Sequence, residues 1–218
     1  MISAILFDLD GTLANTDPIH FQVWQEILAQ YGIDCDRTFY QEQISGNTNE
    51  RLIADVLPQL SPQESRQLAI DKEARYREIA STLDAMPGLE RVITLTDTVP
   101  LKRAAVTNAP KANAYHLLSA LNLTDTLTTV ILAEDAPPGK PDPAPYLLAL
   151  EKLATPAENA IAFEDSPTGI KAAVAAGICT IGITSTHEPE ILLGVGASMA
   201  IPDFNDPQLW QFFEQKLS

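Results

Sequence analysis

Two aspartates, Asp8 and Asp10, close a short apolar run, Ala4 to Phe7, and are followed at once by Gly11. A run of that length reads as a buried strand, and the acids and glycine as the turn that ends it. Carboxylates two residues apart in extended chain point to the same side, so one could attack an electrophile while the other handles protons. At the C-terminal end of a parallel strand such a pair lies where loops and helix N-termini leave a ligand crevice. The plainer alternative for an isolated D-x-D-G is a strand-to-helix turn, with Asp10 capping a helix and Gly11 supplying an unusual backbone angle.

Polar residues close the other strands as well. The run Lys102–Val106 ends in Thr107-Asn108, a loop after Thr129–Ala133 carries Lys140, and Ala160–Phe163 ends in Glu164-Asp165. Taken singly, Thr107 is a strand-end hydroxyl, Lys140 a solvated loop charge and Asp165 a helix N-cap before Pro167. Taken together, four carboxylates, a hydroxyl and an ammonium converge on one rim. Acids so placed repel one another unless a cation or a proton is shared, which implies a divalent metal. An oxygen-only ligand set favours Mg²⁺, which also meets a substrate phosphate.

The elements that must hold these residues follow from periodicity. Asp17 as N-cap, Pro18 at the first helical position and Gly32 beyond the last turn frame a helix whose apolar residues are Ile19, Val23, Trp24, Ile27, Leu28 and Tyr31. The pattern stays helical over Arg37–Ile44, Asn47–Leu57 and Pro62–Thr82, the last opening on the capping-box sequence S-P-Q-E. Strand signals return only after Met86-Pro87-Gly88. Residues 15–84 therefore read as an all-helical insertion, a cap over the acidic loop, within a core of residues 1–14 and 85–218. Helices are expected at Leu89–Asp97, Asn113–Leu121, Ala144–Leu153, Pro167–Ala176 and Gln208–Leu217, with further strands at Thr180–Ile183 and Met199–Ile201. Strands alternating with helices predict an α/β fold, a doubly wound and mostly parallel sheet.

Composition narrows the partners. The 218 residues are 45% hydrophobic and 6% aromatic, as in an ordinary globule, and 14 Lys+Arg against 29 Asp+Glu give a net charge of −15. That field repels nucleic acid and anionic membrane, and a phosphorylated metabolite would need a local cation to overcome it. Cys35 and Cys179 stand far apart without metal-ligand spacing and read as reduced thiols. With no basic leader and no membrane-length apolar run, a cytoplasmic monomer acting on a small molecule is expected.

The segments D8-L-D-G-T-L13, T107-N108, G139-K-P-D-P143 and F163-E-D-S-P-T-G-I170 resemble, in order and over essentially the whole chain, the four motifs of the haloacid dehalogenase superfamily of phosphotransferases. The resemblance is nearest to the branch of beta-phosphoglucomutase, phosphoglycolate phosphatase and small sugar phosphatases, and implies a Rossmann-like core with a helical cap. It implies Asp8 as the nucleophile and Asp10, its pKa raised, as the acid and then the base. Mg²⁺ would be held by Asp8, the Asp10 backbone carbonyl and Asp165, with Glu164 nearby or through water. Thr107 and Lys140 would hold the transferring phosphoryl group, with Asn108 as a further donor. In the cap, His20, Trp24 and Gly46 match substrate-lining positions. Where the mutase carries an arginine to grip a second phosphate, this chain has Asn49, so a monophosphate hydrolase acting through an aspartyl-phosphate is favoured over a mutase. A receiver-type phosphoacceptor module also gathers acids, a threonine and a lysine around Mg²⁺, but it lacks the D-x-D-G-T start and the helical insertion. A true dehalogenase needs no metal and would be expected to lack the second acid, here Asp10.

Overall fold

A computed structural model describes residues 1–44 and 48–217. The chain divides into two compact units, one of Met1–Asn15 with Leu83–Ser218 and one of Thr16–Thr82. In chain order, β1 (Ala4–Phe7) precedes α1 (Asp17–Gln30), α2 (Arg37–Phe39), α3 (Asn49–Val56) and α4 (Pro62–Ile79). There follow α5 (Leu89–Thr98), β2 (Lys102–Thr107), α6 (Lys111–Ala120), β3 (Val130–Leu132), α7 (Ala144–Lys152), β4 (Ala160–Glu164), α8 (Pro167–Ala175), β5 (Cys179–Ile183), α9 (Pro189–Gly194), β6 (Met199–Ile201) and α10 (Pro207–Leu217).

The larger unit is a Rossmann-like α/β layer structure. Its six strands are all parallel, in the order β3-β2-β1-β4-β5-β6. Alternation along β1 explains the two cores. Ile5 and Phe7 face a layer completed by Ile161, Phe163, Ile181 and residues of α5, α6 and α10, while Ala4 and Leu6 face one completed by Ala104, Val106, Ala162 and residues of α7 and α8. Phe7 stacks on Phe163 at 5.6 Å between ring centroids, and Phe204 meets Phe163 edge-on at 5.0 Å. Removing such a buried ring costs about 3–5 kcal/mol. Because β2 and β4 leave β1 on opposite sides, the C-terminal end of β1 is the switch point of the sheet.

Among its described residues the smaller unit contains helices joined by turns. Helix α4 opens with a complete capping box, the Ser61 hydroxyl accepting from Glu64 N and the Glu64 carboxylate from Ser61 N. Helix α1 departs from expectation at its start. Asp17 is its first helical residue, Thr16 precedes it without a side-chain cap, and the Asp17 carboxylate instead accepts from Tyr40 Oη at 2.8 Å and from Arg37 at 3.4 Å. Val23, Trp24, Ile27 and Leu28 are buried as read, whereas Tyr31 is exposed. Residues 37–44 are helical but unevenly so: one α-turn widens into a π-turn at Tyr40–Ile44.

Candidate active site

The residue after Phe7 is Asp8, and the pairing of Phe7 with Phe163 brings it level with Glu164; Asp8 N donates to Phe163 O at 3.0 Å. The chain then turns tightly, with Leu13 N donating to Leu9 O and Gly11 N to Ala14 O, both at 2.8 Å. Gly11 meets two demands at once. Its φ is +78°, and a Cβ there would lie 2.1 Å from Asp165 Oδ2, so the absent side chain is the room in which the Asp165 carboxylate sits. Gly169 does the same for Glu164, whose carboxylate would meet a Cβ at 2.0 Å.

Lys140 arrives from the loop after β3. Asn108, at the end of β2, grips its backbone in both directions: Lys140 N donates to Asn108 Oδ1 and Asn108 Nδ2 to Lys140 O, each at 3.0 Å. The ammonium so delivered is buried and donates to Asp8 Oδ1 at 2.6 Å, Glu164 Oε1 at 2.5 Å and Val106 O at 2.7 Å. All three of its protons are therefore taken by protein oxygens. Glu164 Oε1 accepts in addition from Tyr146 Oη at 2.8 Å, and Ser166 Oγ lies 3.4 Å from Oε2. The Thr107 hydroxyl accepts from Ala109 N at 3.0 Å, closing the turn after β2. Asp165 is not the cap of α8; Ser166 is, its Oγ accepting from Gly169 N at 3.1 Å, which leaves the Asp165 side chain for the site.

Asp8, Glu164 and Asp165 each offer a carboxylate oxygen, and these atoms lie within 4.8 Å of one another, all three residues buried. Burial and then the neighbouring acids drive the charge there. Asp8 is pushed well above the usual carboxylate range by burial, against the opposing pull of Lys140, with Glu164 and Asp165 adding to the rise. Asp165 is pushed up to about 7 by burial first and by Glu164 second; Asp10 adds to the rise, and the Thr186 hydrogen bond opposes it. Burial alone would depress Lys140, but the Asp8 and Glu164 carboxylates outweigh it and hold the ammonium above its ordinary value. Three buried acids against one ammonium leave an excess of negative charge, and hydrogen bonds occupy Oδ1 of Asp8 and Oδ2 of Asp165, leaving the second oxygen of each to another partner. A hard divalent cation fits this donor set. The side chain of Asp10 is not one of the three.

Of the other residues singled out in the sequence, His20, Trp24, Gly46 and Asn49 belong to the helical unit. His20 stacks on Tyr76 at 4.3 Å, nearly parallel, and its Nδ1 lies 3.0 Å from Lys72 Nζ, so Nδ1 accepts. Trp24 is buried with Lys72 Nζ 5.8 Å from its ring. Lys72 also donates to Glu73 at 2.9 Å, and Asn49 Nδ2 donates to the same oxygen at 2.5 Å. Burial resists ionisation of Glu73, but these donors outweigh it and hold the carboxyl below its usual range. Gly46 lies outside the described residues.

Three site residues escaped the sequence reading: Tyr146, Ser185 and Thr186. Tyr146 had one usable signal, a phenol on the apolar face of a short helix, since a buried Tyr hydroxyl needs a partner. Ser185 and Thr186 had none, for nothing local distinguishes them from other loop hydroxyls.

A family model described as haloacid dehalogenase-like hydrolase matches residues 5–183. A phosphorylated carbohydrates phosphatase of Thermotoga maritima is 28% identical over 200 residues, covering 90% of this chain and 92% of that protein. The beta-phosphoglucomutase of Bacillus subtilis is 27% identical over 191 residues, covering 84% of this chain and 83% of its own. Among solved structures, a mutant of CbbY from Rhodobacter sphaeroides in complex with xylulose-(1,5)bisphosphate matches with a TM-score of 0.82 at 27% identity, covering 94% of this chain and 96% of that one. The matched span runs from β1 through β5 and takes in Asp8, Lys140, Glu164 and Asp165, and the chain belongs to the haloacid dehalogenase-like hydrolase family.

Proposed function

We propose that the protein is a Mg²⁺-dependent phosphatase that hydrolyses a small phosphorylated metabolite, a sugar phosphate or a phosphoglycolate-like compound, through an aspartyl-phosphate on Asp8. The observation that carries this reading is the Asp8 carboxylate itself: buried at the switch point of the sheet, with one oxygen fixed by Lys140 and with Glu164 and Asp165 beside it. Asp8 attacks phosphorus through its carboxylate, while Lys140 holds that carboxylate in place and favours its ionised form. Asp10 gives a proton to the leaving oxygen, then takes one from the water that cleaves the acyl phosphate. Thr107 and Asn108, at the end of β2, supply donors for the phosphoryl oxygens. Asp8, Asp165 and the Asp10 carbonyl would hold Mg²⁺, with Glu164 at one remove, and its charge would offset the dianion's repulsion by the acids.

The helical unit serves in this reading as the substrate-selecting cap, through His20, Trp24 and Gly46. Its described basic residues favour a monophosphate. Lys72 is committed to Glu73 and His20, Arg51 is exposed and pairs with Asp55, and Asn49 is tied to Glu73, so no buried cation is left uncompensated for a second phosphate. A mutase must hold a bisphosphate at both ends.

One assay tests the proposal: sugar monophosphates and beta-glucose 1-phosphate with a bisphosphate primer, following free phosphate and glucose 6-phosphate separately. Free phosphate is expected from monophosphates without primer, to vanish with EDTA and to return with Mg²⁺. Because protonation of Asp165 competes with a cation, the half-saturating Mg²⁺ concentration should rise as pH falls from about 8 to about 6. Rapid accumulation of glucose 6-phosphate without free phosphate would replace hydrolase by mutase. Turnover indifferent to chelation would remove the metal.

A further inference from the structure

The loop after β5, Thr184 to His187, lies outside the four motifs and beyond the family match at residues 5–183. Two of its hydroxyls nevertheless reach the site. Ser185 Oγ donates to the Gly11 carbonyl at 2.5 Å, tying the loop to the turn that follows Asp8 and Asp10. Thr186 Oγ1 lies 2.5 Å from Asp165 Oδ2, 3.1 Å from the Asp165 carbonyl and 2.9 Å from His187 Nδ1. A threonine hydroxyl has one proton and can serve only one of these three acceptors. The carboxylate oxygen is the nearest and the only one that bears charge, so it receives the proton. The 2.9 Å contact with His187 Nδ1 is then a hydrogen bond in the tautomer that carries its proton on Nδ1, which would give a directed chain from imidazole to hydroxyl to carboxylate.

The Asp165 carboxylate is confined on its other side too, since its Oδ2 fills the space where Gly11 lacks a Cβ. Oδ2 is thus held between the Gly11 turn and Thr186, which fixes the carboxylate beside Asp8 and Glu164. We infer that Thr186, oriented by His187, is a positioning residue that fixes the rotamer of Asp165 for cation binding. The inference rests on the reading of Asp8, Glu164 and Asp165 as a divalent-cation site. Partners that orient a ligand in this way are worth about 10–100-fold in metal affinity.

The test is a calorimetric titration of EDTA-stripped protein with Mg²⁺, beside steady-state kinetics over a range of Mg²⁺. Thr186→Val keeps the shape and loses the hydroxyl; it should bind Mg²⁺ about tenfold or more weakly, with kcat restored to near the wild-type value at saturating Mg²⁺. Thr186→Ser keeps the hydroxyl and should rescue binding to within about threefold. A merely structural role would lower kcat as well and would not track the hydroxyl. Wild-type protein that takes up no Mg²⁺ overturns the metal reading and this role with it. Wild-type uptake matched by Thr186→Val within about twofold overturns this role alone. Should Thr186→Val be too unstable to titrate, His187→Ala removes the donor that orients the hydroxyl and should weaken Mg²⁺ by about threefold; unchanged binding in that variant overturns the role equally.

Discussion

Replacing Asp8 by asparagine should lower turnover by about 10⁴-fold or more while leaving the fold intact. The two side chains have the same shape, and the amide oxygen can still accept from Lys140, as Asp8 Oδ1 does at 2.6 Å. What is lost is the nucleophile, because a neutral amide does not attack phosphorus. Stability should rise in the metal-free protein. Asp8 is one of three buried acids whose oxygens crowd within 4.8 Å, and its carboxyl is pushed well above the usual range, so removing its charge relieves desolvation and repulsion. Thermal melts and single-turnover phosphate release decide the matter. Turnover within about tenfold of wild type would exclude covalent catalysis by Asp8.

Lys140→Met has the opposite signature. The methionine fills the volume of the lysine stem but supplies no proton to Asp8, Glu164 or Val106 O, all of which Lys140 serves from a buried position. Breaking a buried pair by deleting one partner costs about 3–5 kcal/mol, since the charge left behind is neither solvated nor compensated. Two carboxylates are left behind here, and Tyr146 Oη donates to only one of them. Turnover should fall by about 10²–10³-fold even where the protein folds, because Asp8 loses the group that keeps it ionised and aimed. Denaturant melts with and without Mg²⁺ should show a large loss of stability that the cation partly restores. Metal-free stability equal to wild type would mean that the ammonium does not compensate these acids.

How far the sequence exposed this site depends on the range of each interaction. The strand under Asp8, the acid turn and the strand ends at Thr107 and Glu164 were legible because apolar runs and turn residues are local signals. The capping box at Ser61 was legible for the same reason. Asp17 and Asp165 show where local reading stops. Position near a proline suggests a cap for Asp17 and, taken singly, for Asp165, whereas the side chain of each reaches a residue far along the chain, Asp17 to Tyr40 and Asp165 to Thr186. The short α9 gives no readable signal although Pro189 and Gly194 frame it, since its six residues carry too little periodicity. The Lys140 contact with Asp8 spans 132 residues and depends on the Asn108 clamp, which only the folded chain reveals. Tyr146, Ser185 and Thr186 are of this kind as well.

The most direct measurement is to trap the covalent intermediate where the chemistry places it. Enzyme turning over a phosphate monoester with Mg²⁺ is quenched and treated with labelled borohydride, which reduces an aspartyl-phosphate to homoserine, and the labelled residue is located by peptide mass spectrometry. The expected result is homoserine at position 8, dependent on both substrate and Mg²⁺ and absent from Asp8→Asn. Steady release of phosphate with no label at position 8, or with the label at another residue, would contradict the account.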